Sequence, residues 1–284
     1  MKISAFTCTT NPEYWCFPYQ EALRSYLDCF DEVVVVVGES TDGSLEKIKA
    51  ISDKIKIVYL PWPWDYKQKE YSLHYNFGFE HCTGDWAFKL DCDWIFHETD
   101  FENMKKRLEW RNDDRSVMAM NMPKLSMLNK SECHRKGRMV NGIHMKFYRD
   151  KIKSGVNMDN PTKSDWTDLV LVEKEVDGIY YGHLIDPNKT LGVGLTIYNY
   201  DCFFRTEEKC KTWYKRAALA YLKGTGYPLY GDESNWWETW RGMMEMRSRH
   251  TSQIQIKQHP KYIQDKLNSM TPDMWGYNNW DWKL

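Results

Sequence analysis

The chain has 284 residues, with 39 Lys+Arg against 40 Asp+Glu and a formal net charge of −1, so it lacks the basic surface that a dedicated nucleic-acid binder needs. No apolar run approaches the roughly 18–20 residues of a membrane span. The opening Met1-Lys2-Ile3-Ser4-Ala5-Phe6 also lacks a signal peptide's apolar region, so a soluble, cytoplasmic protein is expected.

The first hundred residues read as alternating strand and helix. Lys2–Cys8 is a short strand ending in the polar turn Thr9-Thr10-Asn11-Pro12. A helix follows from about Pro18, with Ala22, Leu23, Tyr26, Leu27 and Phe30 at helical spacing. Glu32–Val37 is a β-branched run without alternation, the pattern of a strand covered on both faces. The turn 38–44 leads into a helix over Leu45–Ile51, and Lys56–Leu60 is a third strand. Pro61-Trp62-Pro63-Trp64-Asp65 breaks the pattern. A helix over Gln68–His81 follows, then the turn Thr83-Gly84-Asp85 and a fourth strand, Trp86–Leu90. Such alternation implies βαβ units and a mostly parallel sheet.

Beyond Asp91 the pattern changes. Thr99-x-x-Glu102 is a capping-box signature that opens a helix bearing Phe101, Met104 and Leu108. Ser116–Met122 and Ile143–Tyr148 read as strands, with Pro123–Asn141 as a polar, basic loop or hairpin between them. Asn157–Asp168 reads as a loop. Helices are expected over Thr206–Leu222, stopped by Gly224, and over Ser234–Met246. The tail from Met274 to Leu284 fits no pattern. No linker forces a boundary, so one domain over residues 1–284 is expected.

Eight Cys are scattered with no CxxC pair, which excludes a zinc ribbon and a thioredoxin-type motif. Free, mainly buried thiols are expected. Fourteen Trp supply flat faces suited to sugar stacking as well as to core packing.

The strongest local signal is Asp91-Cys92-Asp93 at the end of the fourth strand. Side chains two apart in extended backbone share a face, so both carboxylates would meet one place. That place is the carboxyl end of a parallel strand, where open α/β sheets bind ligands. Paired carboxylates repel unless a cation lies near, and their hard oxygens suit Mn²⁺ or Mg²⁺.

These features resemble the family 2-like, GT-A type glycosyltransferases. The resemblance rests on the opening strand and loop Ile3–Asn11, on Asp31–Ser44 as strand plus glycine-serine turn, and on Asn76-Phe77-Gly78 ahead of Gly84-Asp85-Trp86. It rests also on Asp91-Cys92-Asp93 about 50 residues after Asp42. It covers residues 2–100 well and the rest poorly. Where the family carries an acidic pair before the glycine, this chain has Val37 and Gly38, with Glu39 the nearest acid.

The resemblance implies a GT-A (Rossmann-like) sheet flanked by helices. Residues 1–100 would form the nucleotide-sugar half, and residues 101–284 the acceptor half with aromatic-rich helices. It implies a nucleotide site around Thr7, Cys8, Thr9, Glu39 and Asp42. Asp91 would lie near the ribose or metal, Asp93 would bind the metal, and His183 or His259 would lie near the diphosphate or metal, with His183 the candidate third metal residue. The partners implied are a UDP- or GDP-linked sugar and a glycan or other hydroxyl acceptor. An inverting enzyme of this type needs a downstream carboxylate base; Asp165, beside Trp166, is the first candidate and Asp168 the second, with Asp159 and Glu173 in the same range. Trp166, Trp236, Trp237 and Trp240 are candidates for the acceptor cleft, and Arg135, Lys136 and Arg138 for an anion contact.

Three other functions share features with this pattern. A haloacid-dehalogenase-type phosphatase wants its acidic pair after the first strand, with Thr where this chain has Ile95. A sugar-phosphate nucleotidyltransferase wants a glycine-rich loop near the N-terminus, and Thr7–Pro12 has none. A non-catalytic carbohydrate-binding protein would use the Trp faces without metal or nucleotide.

Overall fold

The computed structural model describes residues 1–61, 70–161 and 167–277. Trp62–Asp65, the first residues of the helix expected from Gln68, the Asp165-Trp166 pair and the end of the tail lie outside the described residues. Strands and helices alternate as β1 (Ile3–Thr9), α1 (Tyr19–Cys29), β2 (Glu32–Val37), α2 (Ser44–Ile51), β3 (Ile55–Tyr59), α3 (Glu70–Glu80) and β4 (Trp86–Lys89). Next come β5 (Trp94–Phe96), α4 (Phe101–Arg111), β6 (Ala119–Asn129), β7 (Glu132–His144), α5 (Met145–Tyr148) and β8 (Ile152–Asn157). The chain continues through β9 (Asp168–Val176), β10 (Ile179–Leu184), β11 (Thr190–Gly192) and β12 (Ile197–Asn199). Last are α6 (Glu207–Thr225), α7 (Trp236–Ser248), β13 (Thr251–Gln253) and α8 (Gln264–Asn268).

The main sheet runs β3-β2-β1-β4-β7-β6-β12-β5, with β11 beside β6 and β13 beside β7. Its first four strands are mutually parallel, and β12 is parallel to β6. This is an α/β architecture with a mostly parallel sheet flanked by helices, as expected. The valine run of β2 shows why the sheet is buried on both sides. Val33, Val35 and Val37 pack with Ala22, Leu23 and Tyr26 of α1, while Val34 and Val36 pack with Tyr75 and Phe79 of α3. A small second sheet, β8-β9-β10, closes on itself. Asn76 joins it to α3: its Nδ2 donates to Ser154 O (2.8 Å), and its Oδ1 accepts from Ser154 N–H (2.9 Å). No helix among the described residues is long and apolar enough to cross a membrane.

Pro123–Asn141 is a hairpin, one of the two expected forms: it is the body of the long β6–β7 pair, and Pro123 sits beside a register shift, where a missing N–H is tolerated. Three local readings change. Ile143–Tyr148 is not a strand: the ladder ends at His144, and Met145 N–H turns back to Asp85 O (2.8 Å), starting α5. Thr99 does not cap α4. His97 instead accepts from Thr99 N–H in a 3-10 turn over Glu98–Asp100 that feeds the helix. Helix α6 runs through Gly224 and stops at Gly226, whose φ of +77° provides the left-handed cap.

Gly84 explains the Gly-Asp-Trp signature mechanically. Its N–H donates to Ser4 Oγ (2.9 Å), Asp85 N–H donates to Lys2 O (2.7 Å), and Lys2 N–H donates to Asp85 Oδ2 (2.7 Å). A Cβ at Gly84 would lie 2.8 Å from both Lys2 O and Ser4 N, which are backbone atoms with little room to give. Gly84→Ala should therefore destabilise the fold by about 1–3 kcal/mol. The loss is read as a lower urea midpoint at unchanged slope; an unchanged midpoint would refute the close-approach role.

Candidate functional site

The carboxyl ends of β1, β4 and β12 open onto one cleft of about 360 Å³. Helices α6 and α7 form its outer wall through Trp213, Tyr214, Arg216, Trp240 and Arg247. Its floor is built by Cys8, Thr9 and Thr10 after β1, by Asp91-Cys92-Asp93 after β4, and by Asn199 and Asp201 at the end of β12.

Asp91 and Asp93 reach the cleft by a turn, not by strand alternation. Trp94 N–H bonds to Asp91 O at 3.1 Å, so the chain reverses between β4 and β5. Two tyrosines fix this turn from behind. Tyr26 OH lies 2.6 Å from Asp91 O and 2.8 Å from Trp94 O. Tyr75 OH donates to Asp91 Oδ1 at 2.5 Å. Lys89 donates to Thr167 O and sits over the Tyr75 ring.

The charge in this cleft is unbalanced around Asp93. Burial, then the carboxylates of Asp201 and Asp91, push its carboxyl up to about 8, against the pull of Lys124 and Arg205. Asp201 is held by Tyr214 OH (2.7 Å) and Arg205 Nη1 (3.2 Å). Arg205 is fully buried between the Phe17 and Trp213 rings and also donates through Nε to Trp15 O (2.7 Å).

A divalent ion fits this donor set. The oxygens are hard, and a cation would offset both the burial and the neighbouring carboxylates that raise the Asp93 carboxyl. Among the described residues no three His, Cys, Asp or Glu side chains converge into a self-contained metal cage.

The residues singled out by sequence divide. Cys8, Thr9, Asp91 and Asp93 line the cleft. Thr7 is buried beside them, and its Oγ1 has no partner among the described residues. Glu39 is exposed and not on the cleft wall. Asp42 accepts from Tyr14 N–H (2.8 Å) and Ser44 N–H (3.0 Å), so it joins two loops. Asp165 and Trp166 lie outside the described residues. Asp168 opens β9 next to Thr167, which does line the cleft.

His183 sits half-exposed on β10, not on the cleft wall, with Nδ1 2.6 Å from Asp159 and Nε2 3.0 Å from Glu173. His259 is buried between Tyr200 OH (2.7 Å) and Lys130 O (3.1 Å). Of Trp236, Trp237 and Trp240, only Trp240 lines the cleft, and Trp237 stacks on it with ring centroids 4.8 Å apart. Arg135, Lys136 and Arg138 are exposed on β7 and do not line it. Sequence reading missed Lys124, Asn199, Asp201, Trp213 and Tyr214. The one available signal was Asn199-x-Asp201, the same spacing as Asp91-x-Asp93, but β12 is too short to show periodicity.

Residues 20–160 match the family model described as glycosyl transferase family 2. A Rickettsia typhi protein named as an uncharacterized glycosyltransferase is 28% identical over 180 residues, covering 63% of this chain and 56% of its own length. Its Rickettsia conorii counterpart is 29% identical over 180 residues, covering 62% of this chain and 57% of its own. The chain thus spans little more than half the length of these curated relatives. Among solved structures, S. aureus TarS residues 1-349 align at 18% identity over 64% of this chain and 60% of that one, with a TM-score of 0.39. The mannosyltransferase PcManGT from Pyrobaculum calidifontis, solved with GDP-Man and Mn²⁺, aligns at 14% identity over 77% and 61%, with a TM-score of 0.44.

The raised carboxyl of Asp93 makes a stability prediction. An acid whose folded pKa lies above its unfolded value contributes stability that is complete below the unfolded value of about 3.9 and lost as pH climbs to about 8. Asp93→Asn removes that loss. In chelator, the variant should melt above the unsubstituted protein at pH 8, by roughly 2–4 °C per kcal/mol recovered. The gap should close toward pH 5; an equal gap at both pH values would contradict the burial of Asp93.

Proposed function

Because residues 20–160 match the family model of glycosyl transferase family 2, we propose that this chain transfers a sugar from a UDP- or GDP-linked donor to a hydroxyl acceptor, with Mn²⁺ or Mg²⁺ as cofactor. One observation carries the reading: Asp91, Asp93 and the residues ending β1 meet in a single cleft at the carboxyl edge of a parallel sheet.

In this reading Asp93, with Asp91, holds the cation against the donor diphosphate. Bound there, a divalent ion supplies electrostatic stabilisation of the departing nucleoside diphosphate. Tyr75 and Tyr26 keep Asp91 and its turn in place before the ligand arrives, so little reorganisation is left to the reaction. Cys8, Thr9 and Thr10 offer backbone and hydroxyl groups to the nucleotide, with Thr7 behind them. The implied contacts of Glu39 and Asp42 to the nucleotide have less support, since neither lines the cleft. A metal role for His183 is likewise less supported than its pairing with two neighbouring acids. Trp213 and Trp240 give the outer half apolar ring faces of the kind that receive sugars. Asp165 and Asp168 are the sequence's candidates for the base that accepts the acceptor's proton.

The test is metal-dependent turnover. Release of UDP or GDP from a panel of nucleotide sugars should require Mn²⁺ or Mg²⁺ and stop in chelator. Asp93→Asn should lower the rate by about 10²-fold or more while the far-UV spectrum is unchanged. Full activity of that variant would refute the metal assignment. Glycan binding with neither metal nor nucleotide would favour a carbohydrate-binding protein.

A further inference from the structure

The register of β12 builds a second polar pair facing the first. Asn199 pairs with Trp94, and Tyr200 N–H bonds to Asp93 O at 3.2 Å. This antiparallel pairing carries Asn199 and Asp201, two residues apart, to the turn holding Asp91 and Asp93. Both line the same cleft.

Their chemistry differs from that of the first pair. Asn199 is only 8% exposed, yet its Oδ1 has no partner among the described residues. A buried orphan acceptor on a cleft wall is costly unless a ligand hydroxyl or water bonds to it. Asp201 is oriented by two donors from outside the metal pair, Tyr214 OH and Arg205 Nη1, while its side chain stays 36% exposed. It does not join Asp91 and Asp93 in one cation cage. Tyr214 of α6, one of its two donors, lines the same cleft beside Trp213 of that helix.

We propose that Asn199 and Asp201 form the acceptor-hydroxyl subsite, with Asp201 the catalytic base and Arg205 and Tyr214 its positioning residues. The inference rests on the glycosyl-transfer reading. The acceptor hydroxyl's proton passes to a carboxylate oxygen of Asp201 as its oxygen bonds to the anomeric carbon. The anomeric carbon–phosphate oxygen bond breaks, and its electron pair leaves with the nucleoside diphosphate. Asn199 Oδ1 accepts a hydrogen bond from a neighbouring hydroxyl of the same acceptor. Arg205 ties this subsite to the nucleotide side, because the same guanidinium binds Trp15 O and stacks on Phe17.

The experiment measures nucleoside diphosphate release from UDP-glucose, UDP-GlcNAc and GDP-mannose with Mn²⁺, with water as acceptor. Mn²⁺-dependent UDP and GDP binding is followed by thermal shift. Asp201→Asn should lower kcat by about 10²-fold or more. KM and the Mn²⁺–nucleotide midpoint should stay within about threefold. Tyr214→Phe keeps the ring that stacks on Trp240 and removes only the donor to Asp201, so it should lower kcat by about tenfold at unchanged KM. The proposal is overturned if either variant turns over at the unsubstituted rate. It is overturned too if Asp201→Asn abolishes Mn²⁺–nucleotide binding, or if Asp168→Asn or Asp165→Asn removes turnover where Asp201→Asn does not. Absence of Mn²⁺–nucleotide binding in the unsubstituted protein is the separate signature that the glycosyl-transfer reading itself has failed.

Discussion

Carboxylate crowding at the end of β4 governs this molecule. Asp93 is buried within the field of Asp201 and Asp91, and Lys124 and Arg205 do not offset them. A chain selected only for stability would place an apolar residue there, because an uncompensated buried acid is expensive. The fold accepts that cost and spends several other residues on holding the arrangement in place. Tyr26 and Tyr75 secure the turn from α1 and α3, and the partly covered Asp201 is held by a wholly buried arginine. The excess negative charge is thus a built feature, one that a cation with its own anionic ligand would satisfy.

The architecture follows from where these groups must meet. Parallel strands β1 and β4 bring their carboxyl ends to one edge, and two antiparallel steps through β7 and β6 let β12 arrive running the same way. The cleft therefore receives residues from three distant stretches of chain. Helices α6 and α7 close it with aromatic rings, and Tyr214, stacked on Trp240 at 4.3 Å, also holds Asp201. Packing and polar positioning are performed by the same side chains. The β1–α1 loop is tied in as well: Asn11, in the left-handed region at φ 50°, accepts from Thr41 N–H, and Arg205 and Lys209 grip the carbonyls of Trp15 and Tyr14.

The N-terminal half was legible because its signals are local. The valine run of β2, the helical spacing on α1 and the glycine-bearing turns each state their own structure within about ten residues. The Asp91-x-Asp93 pair was legible as chemistry, although its geometry was read as a strand and is a turn. The C-terminal half was less legible. The start of α5 depends on a contact made far along the chain, Met145 N–H to Asp85 O. The three-residue strands β11, β12 and β13 exist only because neighbours pair with them.

By itself the sequence determined the alternating α/β layout, the two-sided burial of β2 and the presence of an acidic pair at the end of the fourth strand. These follow from hydrophobic period and turn chemistry, which act over short distances. Only the tertiary structure decided which residues share the cleft with that pair. It brought in Asn199, Asp201, Lys124 and Trp213, and it left Glu39 and His183 off the cleft wall. Strand register and the docking of α6 and α7 set those neighbours, and both are fixed by long-range packing that no short stretch of sequence encodes.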